Sequence, residues 1–292
     1  MNKIQFAPIV IFAYDRPREL QNLLNSLELN SELKDSNIIF FIDRYKTSLE
    51  EINNKKVISI IENWSLNHTC EINIRQDNLG LRNNILNGIN KTFENYEKAI
   101  FLEDDLEISA SFLNYMNKAL DKYSNNKIVK HISGYNFPDS KNNPESSYFT
   151  PYMSCWGWGT WRDRWIENKN FSTNNISNNR YLTRLKFNVF GFEKDFESQL
   201  LRNSNNEIST WAIYWFQHII LNQGLCLNPM QSLVINHGVE GVHGTNSKIY
   251  RSELNICEVN IFPNIFKVKF INIIKTINFY RYKQKLKRIA AT

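Results

Sequence analysis

Short apolar runs alternate with helix-like segments along the first half of the chain. Continuous runs of Ile, Phe, Val and Ala are typical of buried strands, while apolar residues spaced three or four apart indicate helices. The pattern predicts strands at 7–13, 37–42, 70–75 and 99–102, and helices at 17–29, 57–64, 81–95 and from Ser109 onward. Alternation of this kind favours an α/β fold built on a mostly parallel sheet with right-handed crossovers.

The fourth predicted strand ends in three consecutive acids, Glu103, Asp104 and Asp105. In open α/β sheets, residues at the carboxyl ends of strands lie at the rim where ligands bind. Adjacent carboxylates repel one another unless a cation shares them, and Mg²⁺ or Mn²⁺ takes carboxylate oxygens while bridging to substrate phosphates. The acids therefore indicate a metal and phosphate site, with a solvated acidic strand end as the alternative.

The second half of the chain is rich in tryptophan. Four of the seven tryptophans fall within 156–165, where they are interleaved with glycines. Indole faces suit the flat faces of sugar rings, and glycine lets the backbone approach a ligand closely. A core layer beneath the sheet is the alternative interpretation. A helix predicted over 210–222 carries Trp211, and a glycine-rich loop follows at 236–244.

The composition is that of a soluble, enzyme-sized protein. The 292 residues are 42% hydrophobic, which is enough for a packed core, and no apolar run of about 18 residues predicts a membrane-spanning helix. The N-terminus lacks a signal-peptide pattern and the four cysteines are scattered, so we expect reduced thiols in the cytoplasm. No Gly-x-Gly-x-x-Gly or Gly-Lys-Ser/Thr loop occurs, which argues against a dinucleotide-binding or P-loop protein.

The net charge of +6 is concentrated in the C-terminal tail. Residues 264–292 contain eight basic side chains and no acid, which leaves about −2 for the rest of the chain. A near-neutral main domain argues against nucleic acid as a partner. Because the tail is also amphipathic, it predicts either contact with an anionic membrane surface or a helix docked on the domain, and the two alternatives stay open.

Several short segments follow one another in a recognisable order over residues 7–250. They are Ala13-Tyr14-Asp15-Arg16-Pro17, Asp43, Asn78-Leu79-Gly80-Leu81-Arg82, Phe101-Leu102-Glu103-Asp104-Asp105-Leu106-Glu107 followed by Phe112, Trp156-Gly157-Trp158-Gly159-Thr160-Trp161, the helix of Trp211 and Trp215, and the loop of His243. In this combination the chain resembles N-acetylglucosaminyltransferase I and, more closely, bacterial GT-A type sugar-nucleotide glycosyltransferases of surface-polysaccharide clusters.

The resemblance implies a GT-A fold, with a mostly parallel central sheet, flanking helices and a basic C-terminal helical tail. The expected parts are a nucleotide-sugar-binding half at 1–135, an acceptor-side half of the same domain at 136–263, and the tail at 264–292. The implied reaction moves a sugar from a UDP-sugar donor to a glycan or lipid-linked acceptor in surface-polysaccharide synthesis. The protein would then work in the cytoplasm, with the tail at the inner face of the membrane.

The resemblance also implies roles for single residues. Asp105 would hold Mn²⁺ or Mg²⁺ across the diphosphate, and His243 would add a metal or phosphate contact. Asp104 and Glu103 would accept hydrogen bonds from ribose and donor-sugar hydroxyls. Asp43 with Asn78 would bind the uracil and ribose, and Arg16 and Arg82 would pair with the phosphates or order the nucleotide loop. A wall facing the donor sugar and acceptor would consist of Trp156, Gly157, Trp158 and Trp211.

The chain departs from inverting relatives at the helix of Trp211. Those enzymes carry a carboxylate there that removes the proton of the acceptor hydroxyl, whereas this chain has Ala212 and Ile213, which cannot act as a base. Glu207, Asp195 or Glu240 could serve instead, or the reaction could be retaining, or the protein inactive. A non-catalytic sugar-nucleotide or glycan-binding protein therefore remains an alternative function. A nucleotidyltransferase on a similar fold is a second alternative, which the lack of a Gly-rich loop after the first strand disfavours.

Overall fold

The computed structural model describes residues 6–136, 143–166, 193–238 and 254–264, with side chains from residue 198 onward in the helix that begins at Glu193. The first half comprises β1 (Ile9–Ala13), α1 (Pro17–Leu27), a 3-10 turn (Ser31–Asp35), β2 (Ile38–Ile42), α2 (Ser48–Ser65), β3 (Cys70–Ile74), α3 (Gly80–Asn95), β4 (Lys98–Glu103), β5 (Leu106–Ile108) and α4 (Phe112–Lys122). The second half adds β6 (Val129–Ser133), β7 (Ser147–Thr150), β8 (Trp158–Trp161), α5 (Arg162–Ile166), α6 (Glu193–Ser204), α7 (Ala212–Leu221), β9 (Leu225–Pro229) and β10 (Val234–Asn236).

Eight strands form one sheet in the order β3-β2-β1-β4-β8-β6-β9-β7, while β5 and β10 pair separately. The strands β3, β2, β1 and β4 run parallel, and β9 runs parallel to β6. The strands β8 and β7 are antiparallel to their neighbours. The predicted α/β class, with a large and mostly parallel central sheet flanked by helices, is confirmed.

Alternate residues of the strands pack against helices on opposite faces of the sheet. In β1, Ile9 and Ile11 join the core shared with α1, α2 and α4, whereas Val10 and Phe12 join the core shared with α3 and α7. A strand covered on both faces is apolar throughout, which is why β1, β2 and β4 stand out in the sequence. The parallel half of the sheet thereby becomes a rigid support for the loops at its carboxyl edge.

The boundaries of β1 to β4 match the prediction to within two residues, whereas the start of helix α2 does not. It begins at Ser48 rather than at residue 57 because Thr47 and Glu50 form a capping box. The Thr47 hydroxyl accepts from the Glu50 N–H at 3.3 Å, and the Glu50 carboxylate accepts from the Thr47 N–H at 2.8 Å. This pair satisfies two of the otherwise unpartnered N–H groups at the helix start.

The eight-stranded sheet takes strands from both predicted halves, 1–135 and 136–263. Among the described residues, no helix combines the length and the apolar character needed to cross a bilayer. Beyond Asn264, the predicted basic tail lies outside the described residues.

Candidate functional site

Two buried acids lie at the carboxyl edge of the parallel strands. Asp104 and Asp105 form the turn between β4 and β5, and β4 is a central strand of the sheet. The Asp104 N–H donates to the Phe12 carbonyl at 3.0 Å, which ties the turn to the end of β1. The two residues are only 7% and 8% exposed. The topology therefore brings the predicted acidic rim next to the loop that carries Arg16.

The carboxylates of this turn are held from the β1 side. The Asp104 carboxylate accepts from the Tyr14 N–H at 2.9 Å. The Arg16 guanidinium donates to Oδ2 of Asp105, and its Nη1 lies 4.0 Å from Oδ1 of Asp104. The structure thus joins three residues that the sequence analysis assigned to the site, Arg16, Asp104 and Asp105, and adds the backbone of Tyr14.

The acidic cluster, Glu103, Asp104 and Asp105, carries more negative charge than its surroundings neutralise. Burial raises the pKa of Glu103 to about 8 and the pKa of Asp104 to about 7, and repulsion from Asp105 adds to both shifts. Burial also raises the pKa of Asp105, although the Arg16 charge opposes that rise. Burial disfavours the charged form of Arg16, yet Asp105 and Asp104 raise its pKa. A further cation would relieve the repulsion among the three carboxylates.

The segment that follows β10 closes over Asp105. The His237 N–H donates to the Asp105 carbonyl at 2.8 Å, and the Asn236 amide lies 3.5 Å from Oδ1 of Asp105. A Cβ atom on Gly238 would lie 1.9 Å from Oδ2 of Asp105 and 2.8 Å from Nη1 of Arg16, so a larger residue here would have to displace the Arg16–Asp105 pair. The sequence analysis placed a glycine-rich loop here but did not identify Gly238, because the contact depends on the pairing of β10 with β5.

Asp43 lies at the end of β2 and organises the neighbouring loop. It is 4% exposed, and its carboxylate accepts from the backbone N–H groups of Leu79 and Gly80, both at 2.8 Å, and of Arg44 at 3.0 Å. Asn78 donates from its amide to the Arg44 carbonyl. The two predicted nucleotide-binding residues are therefore close together, and the Asp43 carboxylate serves as the anchor of the turn that opens α3.

Three further polar residues lie near this edge. Asn54 and Arg75 are not predicted from the sequence, and Arg82 has a different contact from the one expected. Asn54 of α2 donates to the Tyr14 and Asp43 carbonyls at 2.7 and 2.8 Å, which joins the ends of β1 and β2. Arg75 follows β3, lies 4.9 Å above the Phe41 ring and donates to Asn84 at 2.9 Å. Arg82 lies 4.9 Å above the ring of Tyr214 in α7. An isolated polar residue on a helix, such as Asn54, gives no sequence signal for such a role.

The tryptophan segment is largely a core layer. Trp158 and Trp211 are 2% and 3% exposed, and their rings stack with centroids 5.3 Å apart. Trp158 also stacks on His131 at 5.1 Å. A Cβ on Gly157 would lie 2.8 Å from Val234, so this glycine serves close packing. The structure gives Trp158, Trp211 and Gly157 the packing role that the sequence left as the alternative, whereas Trp156 is only partly buried.

His131 is the polar member of this layer. Burial lowers its pKa to about 3, so it is neutral. Its Nε2–H donates to the Ser154 carbonyl at 2.9 Å, while Nδ1 accepts from the Trp215 indole at 3.2 Å. Both ring nitrogens are thus engaged in hydrogen bonds within the core.

The predicted base residues are not brought to the acidic cluster by the described contacts. Glu207 follows α6 with an exposed side chain, 3.6 Å from Arg202, and accepts from the Asn205 amide at 3.1 Å. Asp195 belongs to α6, but its side chain lies outside the described residues. Glu240 and His243 also lie outside them.

The donor set fits a hard divalent cation that is also bound by a substrate. Within the described ranges, no group of three or more His, Cys, Asp and Glu side chains could hold a metal ion by itself. Mg²⁺-type ions are commonly bound by one or two carboxylates together with substrate phosphates and water, and do not need a protein cage. The carboxylates of Asp104 and Asp105, with excess negative charge around them, meet that requirement.

No family model and no curated protein matches this sequence. In structure it is similar to a fragment, 1–349, of S. aureus TarS (TM-score 0.47, 12% identity, 80% of this chain and 61% of that one). It is also similar to GalNAc-T7 with UDP, GalNAc and Mn²⁺ (TM-score 0.42, 14% identity, 56% and 37% covered). A third is the mannosyltransferase PcManGT from Pyrobaculum calidifontis with GDP-Man and Mn²⁺ (TM-score 0.37, 12% identity, 55% and 46% covered). This chain spans less than two thirds of each of these chains.

Proposed function

We propose that this chain is a metal-dependent glycosyltransferase of the GT-A type, which transfers a sugar from a UDP-sugar donor to a glycan or lipid-linked acceptor. The observation that carries the proposal is the buried acidic cluster at the carboxyl end of a central parallel strand, with the Arg16 guanidinium bonded to it. Carboxylates beside a cation at this edge can recognise a nucleotide diphosphate through both a metal ion and an arginine.

Asp105, with Asp104 beside it, would hold Mn²⁺ or Mg²⁺. When bound, the ion would neutralise the charge that develops on the departing diphosphate. Asp104 is oriented by the Tyr14 N–H, and Glu103 is a partly buried residue at the end of β4. These two side chains would accept hydrogen bonds from sugar and ribose hydroxyls, and Arg16 would pair with phosphate oxygens.

The loop held by Asp43 would bind the nucleoside. Its backbone is fixed by hydrogen bonds to Asp43 and by the donation from Asn78 to the Arg44 carbonyl. The neighbouring Arg75 has an Nη2 atom without a hydrogen-bond partner among the described residues. A fixed turn beside a free donor is suited to a planar base that carries acceptors on its edge.

The acceptor side of the proposal rests on the sequence. The hydroxyl proton would pass to Asp195, Glu207 or Glu240 in an inverting reaction, while a retaining reaction would need no base at these positions. His243 would contact the metal or the phosphates. The basic tail at 264–292 would hold the protein at the inner face of the cytoplasmic membrane, where a lipid-linked acceptor is presented.

The test is hydrolysis and transfer from a panel of UDP-sugars with Mn²⁺, Mg²⁺ or EDTA. Asp105→Ala should abolish turnover in a folded protein. Asp121→Ala is the matched control, because Asp121 is an exposed acid that pairs with Lys98 at the opposite end of the same strand. Full activity in EDTA, or in folded Asp105→Ala, would refute the proposal. Mn²⁺-dependent binding of UDP-sugars without turnover or transfer would instead indicate a binding protein.

A further inference from the structure

Arg16 donates a hydrogen bond to one carboxylate oxygen of Asp105, the residue proposed to hold the metal ion. It is the last residue before α1, and its guanidinium donates to Oδ2 of Asp105. The Arg16 side chain is 36% exposed, whereas that of Asp105 is 11% exposed. The guanidinium therefore lies on the solvent side of the pair, and the carboxylate is the more buried partner.

The space around this oxygen is limited on its other side. The Gly238 backbone packs so closely that a Cβ there would lie 1.9 Å from Oδ2 of Asp105. The His237 N–H bond to the Asp105 carbonyl keeps this segment in place. With Gly238 on one side and Arg16 on the other, a cation that binds Oδ2 has to take the place of Nη1.

A divalent ion and the Arg16 guanidinium also repel each other. Two cations a few ångströms apart on one carboxylate are unfavourable in a partly buried site, unless an anion is present to bind the displaced one. A diphosphate supplies that anion, since guanidinium groups form strong charge-assisted hydrogen bonds with phosphate oxygens.

We propose that Arg16 is an internal counter-ion that competes with the metal for Asp105, so that metal binds tightly only together with a nucleotide diphosphate. In the absence of ligands Arg16 stabilises the buried carboxylates. With metal and nucleotide bound, Asp105 would hold the metal and Arg16 would pair with the diphosphate. This inference rests on the proposed function, and it adds that the metal and nucleotide affinities are coupled through Arg16.

The experiment measures two affinities by calorimetry, Mn²⁺ alone and UDP at saturating Mn²⁺. In Arg16→Gln, Mn²⁺ alone should bind about tenfold more tightly and UDP about tenfold more weakly, within the usual range of coupling between sites. Arg18→Gln is the matched control, because Arg18 is an exposed arginine two positions away, and both affinities should stay within twofold of wild type. A merely structural role for Arg16 would weaken both affinities together.

Unchanged or weaker binding of Mn²⁺ alone by folded Arg16→Gln would overturn the inference while leaving the proposed function intact. If wild type binds no Mn²⁺ with or without UDP, the proposed function fails and the inference fails with it. Should Arg16→Gln unfold in EDTA, its thermal unfolding is repeated with Mn²⁺. Recovery of the folded state by Mn²⁺ supports the inference, because the ion then replaces the lost cation, and failure to recover overturns it.

Discussion

Replacing Trp158 by Ala would distinguish a packing role from a sugar-binding role for the tryptophan segment. The ring is 2% exposed and lies 4.7 Å from Phe101, 5.1 Å from His131 and 5.3 Å from Trp211, measured between centroids. Truncating a buried tryptophan to alanine costs roughly 3–5 kcal/mol. Ring pairs of this kind add about 0.5–1.5 kcal/mol each beyond their burial. We therefore expect the free energy of unfolding to fall by an amount near the top of the roughly 3–5 kcal/mol range.

The assay is urea unfolding followed by circular dichroism, with Mn²⁺-dependent sugar transfer from a UDP-sugar measured in parallel. A loss of about 5 kcal/mol is a large part of the roughly 5–15 kcal/mol that stabilises a typical domain, so the unfolding midpoint should fall steeply. Trp158→Phe should recover about half of the loss, and Trp156→Ala, at a partly buried position of the same segment, should cost less. An unchanged midpoint for Trp158→Ala, combined with loss of transfer, would refute the packing account.

Three other perturbations probe the site. In EDTA, the free energy of unfolding should fall as pH rises from about 4 to 8. The pKa values of Asp104 (about 7) and Glu103 (about 8) lie above their ordinary values, so over that range the folded state binds more protons than the unfolded state. Thermal unfolding at several pH values should show a smaller fall for Asp104→Asn, and an equal fall would contradict the burial argument. Asp43→Ala should cost about 1–3 kcal/mol in urea unfolding without nucleotide, since it removes the acceptor of three backbone N–H groups. An unchanged stability would show that the carboxylate is not the anchor. Gly238→Ala should lower Mn²⁺-dependent hydrolysis at least tenfold, because its Cβ would meet the Asp105 carboxylate, and a wild-type rate would contradict the close contact.

Strands β1, β2 and β4 of the parallel half could be predicted from the sequence because they are covered on both faces. The apolar runs of β1, β2 and β4 contain no polar residue. Among the described residues, no exposed segment has a comparable apolar run. In contrast, β6 is buried along its whole length although its sequence is Val-Lys-His-Ile-Ser. Its three polar residues break the apolar pattern by which a buried strand is predicted. For β8 the sequence leaves a ligand wall and a core layer as alternatives, because Trp-Gly-Thr-Trp fits both a strand and a binding loop.

The site could be predicted only as far as the sheet positions it. Arg16, Asp104 and Asp105 come together because the carboxyl ends of neighbouring parallel strands share one edge, and that much follows from the alternation of elements. The contact of Gly238 with Asp105 depends on the pairing of β5 with β10, two short strands 126 residues apart at their Val234–Ile108 pair. The anchoring of Leu79 and Gly80 by Asp43 depends on a turn with Gly80 at a φ of 74°, which the sequence alone marks only as a loop.

The central claim is that Asp105 binds a divalent cation together with a nucleotide diphosphate. Its most direct test is a crystal structure of the full chain with UDP and Mn²⁺, in which anomalous scattering locates the metal. The account predicts one Mn²⁺ peak between the Asp105 carboxylate and the diphosphate, with Arg16 moved from Asp105 to a phosphate oxygen. A metal peak away from the acidic cluster, or UDP bound with the Arg16–Asp105 pair intact, would contradict it.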